Sequence, residues 1–261
     1  QEFEIDFTVD PHLLVAGESG GGKTNFIRQM VATLKFNHPE TMIKLFDFKA
    51  NGDFGCFEGL DRMEIAYSRS QAPKILDSVV TDIQNRAETL RKLGFSSLDL
   101  YHSSNKFLDK SKEDRKMDPC GYRIFVVVDE YAELVLDGGE LKHDEVKSCK
   151  ESLSKISRLG RSCGVHLVLA TQRPDRRTVD VQVKSNLTST VCFRLNDLGG
   201  SLAVLGSKSA CELPMFKGRG IFQRGSVDYE IQAPFVTAEF IQRHLGNQNR
   251  QENGNVPQIN L

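Results

Sequence analysis

Gly17-Glu18-Ser19-Gly20-Gly21-Gly22-Lys23-Thr24 follows directly on the apolar run at residues 11–16, and Phe26, Ile27, Met30, Val31 and Leu34 follow it at helical spacing. Strand, glycine-rich loop and helix in that order are the context that G-x-x-x-x-G-K-[ST] requires. The glycines let the backbone curl with its N–H groups pointing inward at phosphate oxygens, and the helix N-terminus adds a favourable dipole. Gly17 through Thr24 are therefore the expected phosphate cradle. Lys23 is expected on the β and γ phosphates and the Thr24 hydroxyl on Mg²⁺, so ATP and Mg²⁺ are the expected cofactors. The competing reading is a glycine-rich turn, which calls for neither the strand nor the helix.

Residues 122–129 (YRIFVVVD) form a continuous β-branched run, the pattern of a central strand buried on both faces, and it ends in acids. Asp129 is placed to orient a metal-bound water at the strand's carboxyl edge. Glu130 can accept a hydrogen bond from an attacking water, which hydrolysis needs and nucleotide storage does not. About a hundred residues separate this segment from the loop, and the strand read at 42–48 is expected to insert between them in the sheet. Residues 72–93 read as a long amphipathic helix, 144–161 as a second, 164–171 and 188–195 as further strands. Residues 220–223 and 227–233 read as a terminal hairpin, 237–245 as a closing helix, and 101–120, rich in Ser, Lys and Asp, as an exposed connection. Strands alternating with helices predict an α/β fold, a mostly parallel sheet covered by helices on both faces.

The chain has 261 residues, enough for one large core, and 34 Lys+Arg against 35 Asp+Glu give a formal charge of −1. No sequence-wide basic field marks it as a polyanion binder, so any such contact must be local. Its apolar runs fall far short of the roughly 20 residues that span a bilayer. It begins at Gln1 without Met and reads as a fragment of something longer, with residues 1–245 as one ATPase domain and 246–261 as a flexible tail. The six cysteines show no Cys-x-x-Cys pair and read as reduced thiols. His166, on a predicted buried strand, reads as a core histidine. The mixed charges of 106–116 read as a solvated loop, and Phe36, Phe46, Phe48, Phe54 and Phe57 as packing residues.

Three blocks, PHLLVAGESGGGKT (11–24), VVVDEYAEL (126–134) and GRSCGVHLVLATQRP (160–174), resemble the FtsK/SpoIIIE family of DNA-pumping motors, within the larger group that includes conjugative coupling ATPases and type VII secretion ATPases. The resemblance implies a RecA-like P-loop motor assembled as a homo-oligomeric ring, usually a hexamer, with ATP between subunits and DNA, double-stranded, in the channel. It assigns Lys23 and Thr24 to phosphate and Mg²⁺, and Asp129 and Glu130 to the metal and the water. Arg161 matches a trans-acting arginine finger, although on chemistry alone Arg158 and Arg161 are solvated helix charge. Gln172 falls on a polar sensor. Arg173 and Lys184 match a pore loop on the DNA backbone, with Arg176 and Arg177 adding charge. The second pore-loop region, 196–202, carries no Lys or Arg, which departs from double-strand pumps and favours the runner-up, a type VII-like protein secretion motor. A third reading, a module that binds ATP without turnover, is opposed by intact Lys23, Asp129 and Glu130. The resemblance further implies a cytoplasmic motor domain, on the inner face of the membrane in the full-length protein.

Overall fold

Every residue of β1 (His12–Ala16) is buried, and alternate side chains leave on opposite faces: Leu13 and Val15 enter one hydrophobic cluster, Leu14 and Ala16 the other. A strand covered on both faces has no reason to alternate apolar with polar, and this explains the unbroken apolar runs of the sequence. The computed structural model describes residues 4–49, 52–136, 140–172 and 181–245.

After β1 the chain runs through α1 (Lys23–Asn37), β2 (Met42–Phe46), β3 (Met63–Ala66), α2 (Ala72–Leu93), α3 (Leu98–His102), α4 (Asn105–Leu108), α5 (Lys112–Met117) and β4 (Ile124–Val128). It continues through α6 (Tyr131–Val135), α7 (His143–Leu159), β5 (Val165–Thr171), α8 (Val181–Asn186), β6 (Ser189–Phe193), α9 (Leu198–Leu205), α10 (Ser209–Glu212), the hairpin β7 (Arg219–Arg224) and β8 (Val227–Gln232), and α11 (Ala238–Leu245). The sheet order is β3-β2-β4-β5-β1-β6-β7-β8, parallel through β6, with β7 and β8 antiparallel. Helices α2 and α7 cover one face, and α1 and α11 the other. The expected α/β fold with its parallel sheet and terminal hairpin is the observed one.

Three expectations are corrected. The strand between β1 and β4 is β5; β2 lies outside β4, paired to it at Phe46↔Val128. Spacing along the chain permits either order, and only the pairing decides. Residues 101–120 are three short helices around a small core of Leu90, Leu98, Tyr101, Phe107 and Cys120 rather than an exposed connection. Ser97 caps α3 by accepting from the Leu100 N–H and Ser111 caps α5 by accepting from that of Asp114, while buried Asp118 accepts from the Tyr101 hydroxyl at 2.6 Å. The charged residues of 106–116 are mostly solvated, as read, but on helices α4 and α5. Residues 196–202, taken as a loop, enter α9, whose N-terminus is capped by Asp197 through the Gly200 N–H at 2.6 Å.

Other expectations hold. His166 is buried and bonded, Nδ1 to the Pro11 carbonyl at 3.0 Å and Nε2 to the Arg123 guanidinium at 3.1 Å. Phe46, Phe54 and Phe57 are buried in the two clusters. Five of the six free thiols are buried. Among the described residues no helix is long and apolar enough to cross a membrane. The tail read at 246–261 lies outside the described residues.

Candidate nucleotide site

The loop between β1 and α1 sits at the carboxyl edge of the sheet, where parallel strands leave a crevice for a ligand. Its curl depends on glycine: Gly17 has φ 148° and Gly22 φ 122°, values an L side chain rarely adopts. A Cβ on Gly22 would also stand 3.0 Å from the backbone of Gly218, so the hairpin's first strand packs directly on the loop. The Gly218 N–H donates to the Gly21 carbonyl at 2.9 Å. Ser19 and Gly20 remain at the open side of the crevice.

Lys23 is almost wholly buried and donates to the carbonyls of Gly17 and Glu18, at 2.5 and 2.7 Å. Burial first, and the nearby Lys49 ammonium second, push its pKa down to about 8. Such a group gains most from an anionic ligand that restores its charge. Across the crevice, β4 delivers Asp129 and Glu130. Asp129 Oδ1 lies 3.5 Å from the Thr24 hydroxyl, and its Oδ2 accepts from Lys49 at 2.6 Å. Glu130 is held by the end of β5, accepting from the Thr171 hydroxyl at 3.0 Å and from the Gln172 N–H at 3.2 Å. Burial raises its pKa, which makes the carboxylate a better proton acceptor.

The oxygen donors of Thr24 and Asp129 suit a hard divalent cation that takes its remaining ligands from phosphates and water. Among the described residues no cluster of three or more His, Cys, Asp or Glu would hold a metal.

The cleft over Lys23 and Thr24 has a volume of about 740 Å³ and is lined as well by Asn25, Lys49, Asp53, Gln172, Lys217 and the segment after β8, which includes Phe235. That segment is pinned to α1: Asn25 Nδ2 donates to the Pro234 carbonyl at 2.6 Å, and the Val236 N–H donates to Asn25 Oδ1 at 3.2 Å. Sequence reasoning missed Lys49, Asp53, Lys217 and Phe235. For Lys49 a signal existed: Asp47 and Lys49 follow the β2 apolar run just as Asp129 and Glu130 follow that of β4, so both pairs end at one edge.

Arg161 lies elsewhere. It begins the turn before β5, where the Val165 N–H donates to the Gly160 carbonyl, and its charge acts on His12, the first residue of β1. The length of β5, about 20 Å at a strand's rise, separates that edge from the phosphate loop. Arg161 is exposed there and is not brought to its own protomer's site. Lys184 is half-buried, with its ammonium on the Ala203 carbonyl. Arg173, Arg176 and Arg177 lie outside the described residues.

The FtsK/SpoIIIE family model matches residues 1–176. The DNA translocase FtsK of Tropheryma whipplei strain TW08/27 is 30% identical over 244 residues, covering 91% of this chain and 32% of that protein. Of solved structures, the pCW3 conjugation coupling protein TcpA, a monomer form with ATPγS, superposes with a TM-score of 0.81 at 28% identity, over 94% of this chain and 66% of that one. The cytoplasmic domain of the Thermomonospora curvata type VII secretion ATPase EccC gives 0.73 at 27% identity, over 96% of this chain and 29% of that one. The chain spans about a third or less of the length of the curated relatives it matches. The phosphate loop faces its acidic partners across the crevice, and a model match over well over half the residues agrees with that reading: the chain belongs to the FtsK/SpoIIIE family, as a P-loop ATPase domain.

Proposed function

We propose that this chain is the ATP-hydrolysing motor of a DNA translocase, of segregation or conjugative type, working as a ring with its nucleotides between subunits. The observation that carries this reading is the split across the sheet. Lys23, Thr24, Asp129 and Glu130 share one edge, and the exposed Arg161 stands at the other, about a strand's length away. An arginine so placed can reach a phosphate only in a neighbouring protomer, where it would stabilise charge developing on the transferred phosphoryl group.

In this scheme Lys23 leaves the Gly17 and Glu18 carbonyls for the phosphates, Thr24 and Asp129 hold Mg²⁺, and Glu130 aligns the attacking water. Mg²⁺ supplies neutralisation of phosphate charge. Arg173, Arg176, Arg177 and Lys184 contact the DNA backbone with little base readout. In the whole protein the motor works on the cytoplasmic face of the membrane.

The similarity to EccC and the absence of Lys and Arg from 196–202 favour a second reading, a protein secretion motor. One experiment separates the two. ATP hydrolysis is measured at high protein concentration with duplex DNA, single-stranded DNA or neither, with Glu130→Gln as the blank. Duplex stimulation that fades with salt and with Arg173→Ala plus Lys184→Ala supports the DNA pump, and an assembled ring indifferent to both nucleic acids supports secretion. Mixing Lys23→Ala with Arg161→Ala protein tests the shared site, since partial recovery of hydrolysis requires two protomers per nucleotide.

A further inference from the structure

Three carboxylates converge at the ends of β2 and β4. Asp47 and Asp129 occupy successive register positions on paired strands, with the Asp129 N–H donating to the Phe46 carbonyl at 3.1 Å. Both are fully buried. Asp47 Oδ1 accepts from the Lys49 N–H at 3.3 Å, and its Oδ2 has no hydrogen-bond partner among the described residues. Glu130 follows Asp129 directly. The Lys49 ammonium is 2.6 Å from Asp129 Oδ2 and 4.0 Å from Glu130 Oε2, between these two acids. Lys23 donates instead to the loop carbonyls, so the ammonium that pairs directly with Asp129 is that of Lys49.

We propose that Lys49 stands in for the divalent cation in the nucleotide-free protein, holding the Asp129 carboxylate until a metal–nucleotide complex displaces it. This inference rests on the nucleotide-site reading above. A free divalent ion must evict an ammonium paired at 2.6 Å with Asp129 and gains only the Asp129 and Thr24 oxygens in return. An ion that arrives on ATP brings phosphate oxygens, and the evicted ammonium gains phosphate as a new partner. Lys49 thereby makes metal loading conditional on nucleotide, and the site does not fill with metal alone.

The test uses Mn²⁺ alone, followed by the loss of its free electron paramagnetic resonance signal, on the nucleotide-free chain. The natural chain is expected to bind Mn²⁺ weakly. Lys49→Met should bind it at least about tenfold more tightly, and Asp129→Asn added to Lys49→Met should erase the gain. Lys49→Arg, which keeps the charge, should bind as weakly as the natural chain. Lys49→Gln, which keeps a donor toward Asp129, repeats the measurement if methionine prevents folding. Lys155→Met, at an exposed position of α7 outside the cleft lining, should change nothing. Equal Mn²⁺ affinity in the natural chain and in folded Lys49→Met or Lys49→Gln overturns the proposal, as does equal tightening by Lys49→Arg. Binding of ATPγS with Mn²⁺ to the natural chain is measured in parallel: its absence overturns the nucleotide-site reading and with it this inference, whereas its presence with unchanged Mn²⁺-only affinities overturns the inference alone.

Discussion

The carboxylate of Glu18, inside the phosphate loop, accepts two hydrogen bonds from Asn196, one from its N–H at 2.5 Å and one from its side-chain amide at 2.6 Å. Asn196 follows β6 and precedes α9, so the loop that would grip phosphate is tied directly to the segment 196–202. A second tie, the Glu18 N–H to the Arg194 carbonyl at 3.3 Å, lies beside the first. Charge-assisted pairs of this kind are the stronger hydrogen bonds of a protein.

Binding of ATPγS should therefore change amide hydrogen exchange across 196–202 in the natural chain. In Glu18→Ala the nucleotide should still bind, but that response should shrink by more than half. An identical response in both proteins would show that the two loops are not coupled through Glu18.

Gly218→Ala should lower stability by about 2–3 kcal/mol and weaken nucleotide binding. The residue has φ 82°, and a Cβ there would meet Gln232 Nε2 at 2.8 Å and the Ala233 carbonyl at 3.0 Å, next to the bond to Gly21. Gly206→Ala is the control. With φ 72° and nothing within 4 Å of the added atom, it should cost only about 1 kcal/mol and leave nucleotide binding alone. Urea unfolding and ATPγS titration of the two variants check both statements.

Asp118→Ala should cost about 2–4 kcal/mol, read from urea unfolding. The carboxylate accepts from the Tyr101 hydroxyl at 2.6 Å, the Lys110 ammonium at 2.7 Å and the Cys120 N–H at 2.8 Å, and alanine leaves two of these donors buried without an acceptor. A loss under 1 kcal/mol would mean that the small core of α3 and α4 stands without it.

Stability should fall as pH drops from about 6.5 to about 4. Burial, aided by the Arg123 guanidinium, pushes the pKa of His166 down to about 3, and burial pushes that of His12 down to about 4. Below 6.5 the unfolded chain takes up protons that the folded chain refuses, so each histidine favours unfolding by up to about 1.4 kcal/mol per pH unit in that window. Above 6.5 neither contributes a slope. His166→Gln can keep the Pro11 and Arg123 contacts without a titrating group, and it should flatten the acid limb of a urea-unfolding series by about one proton. An unchanged slope would argue against a neutral buried His166.

The strands that carry the chemistry were legible because they are buried on both faces. In β1, β4 and β5 no alternation blurs the apolar run, and a glycine marks the end of β1 and an acid that of β4. By the same logic β3 was not: at the sheet's edge, Met63, Glu64 and Ile65 keep some exposure and only Ala66 is buried, so its four residues carry no pattern. The hub at Asp118 was hidden for another reason, since its partner Tyr101 lies on α3 and its partner Lys110 between α4 and α5, and nothing periodic connects them. Lys49 was overlooked because no motif reserves a cation at the end of β2. Asp47 and Lys49 do close the β2 run in the sequence, but the pairing of β2 with β4 is what sets Lys49 against Asp129. The separation of Arg161 from the phosphate loop likewise needed the direction of β5, which composition does not contain.

Strand β5 links these ends mechanically. Its seven residues are buried along their whole length, with Arg161 just before the first, Thr171 as the last and Gln172 beyond it. Thr171 and Gln172 hold Glu130 of the same protomer, while Arg161 faces outward at the far end. A stiff element of this kind acts as a push rod. In a ring assembled as proposed, a shift of Glu130 on hydrolysis would be delivered, with little loss to bending, to the arginine that serves the next nucleotide, so successive subunits would fire in order.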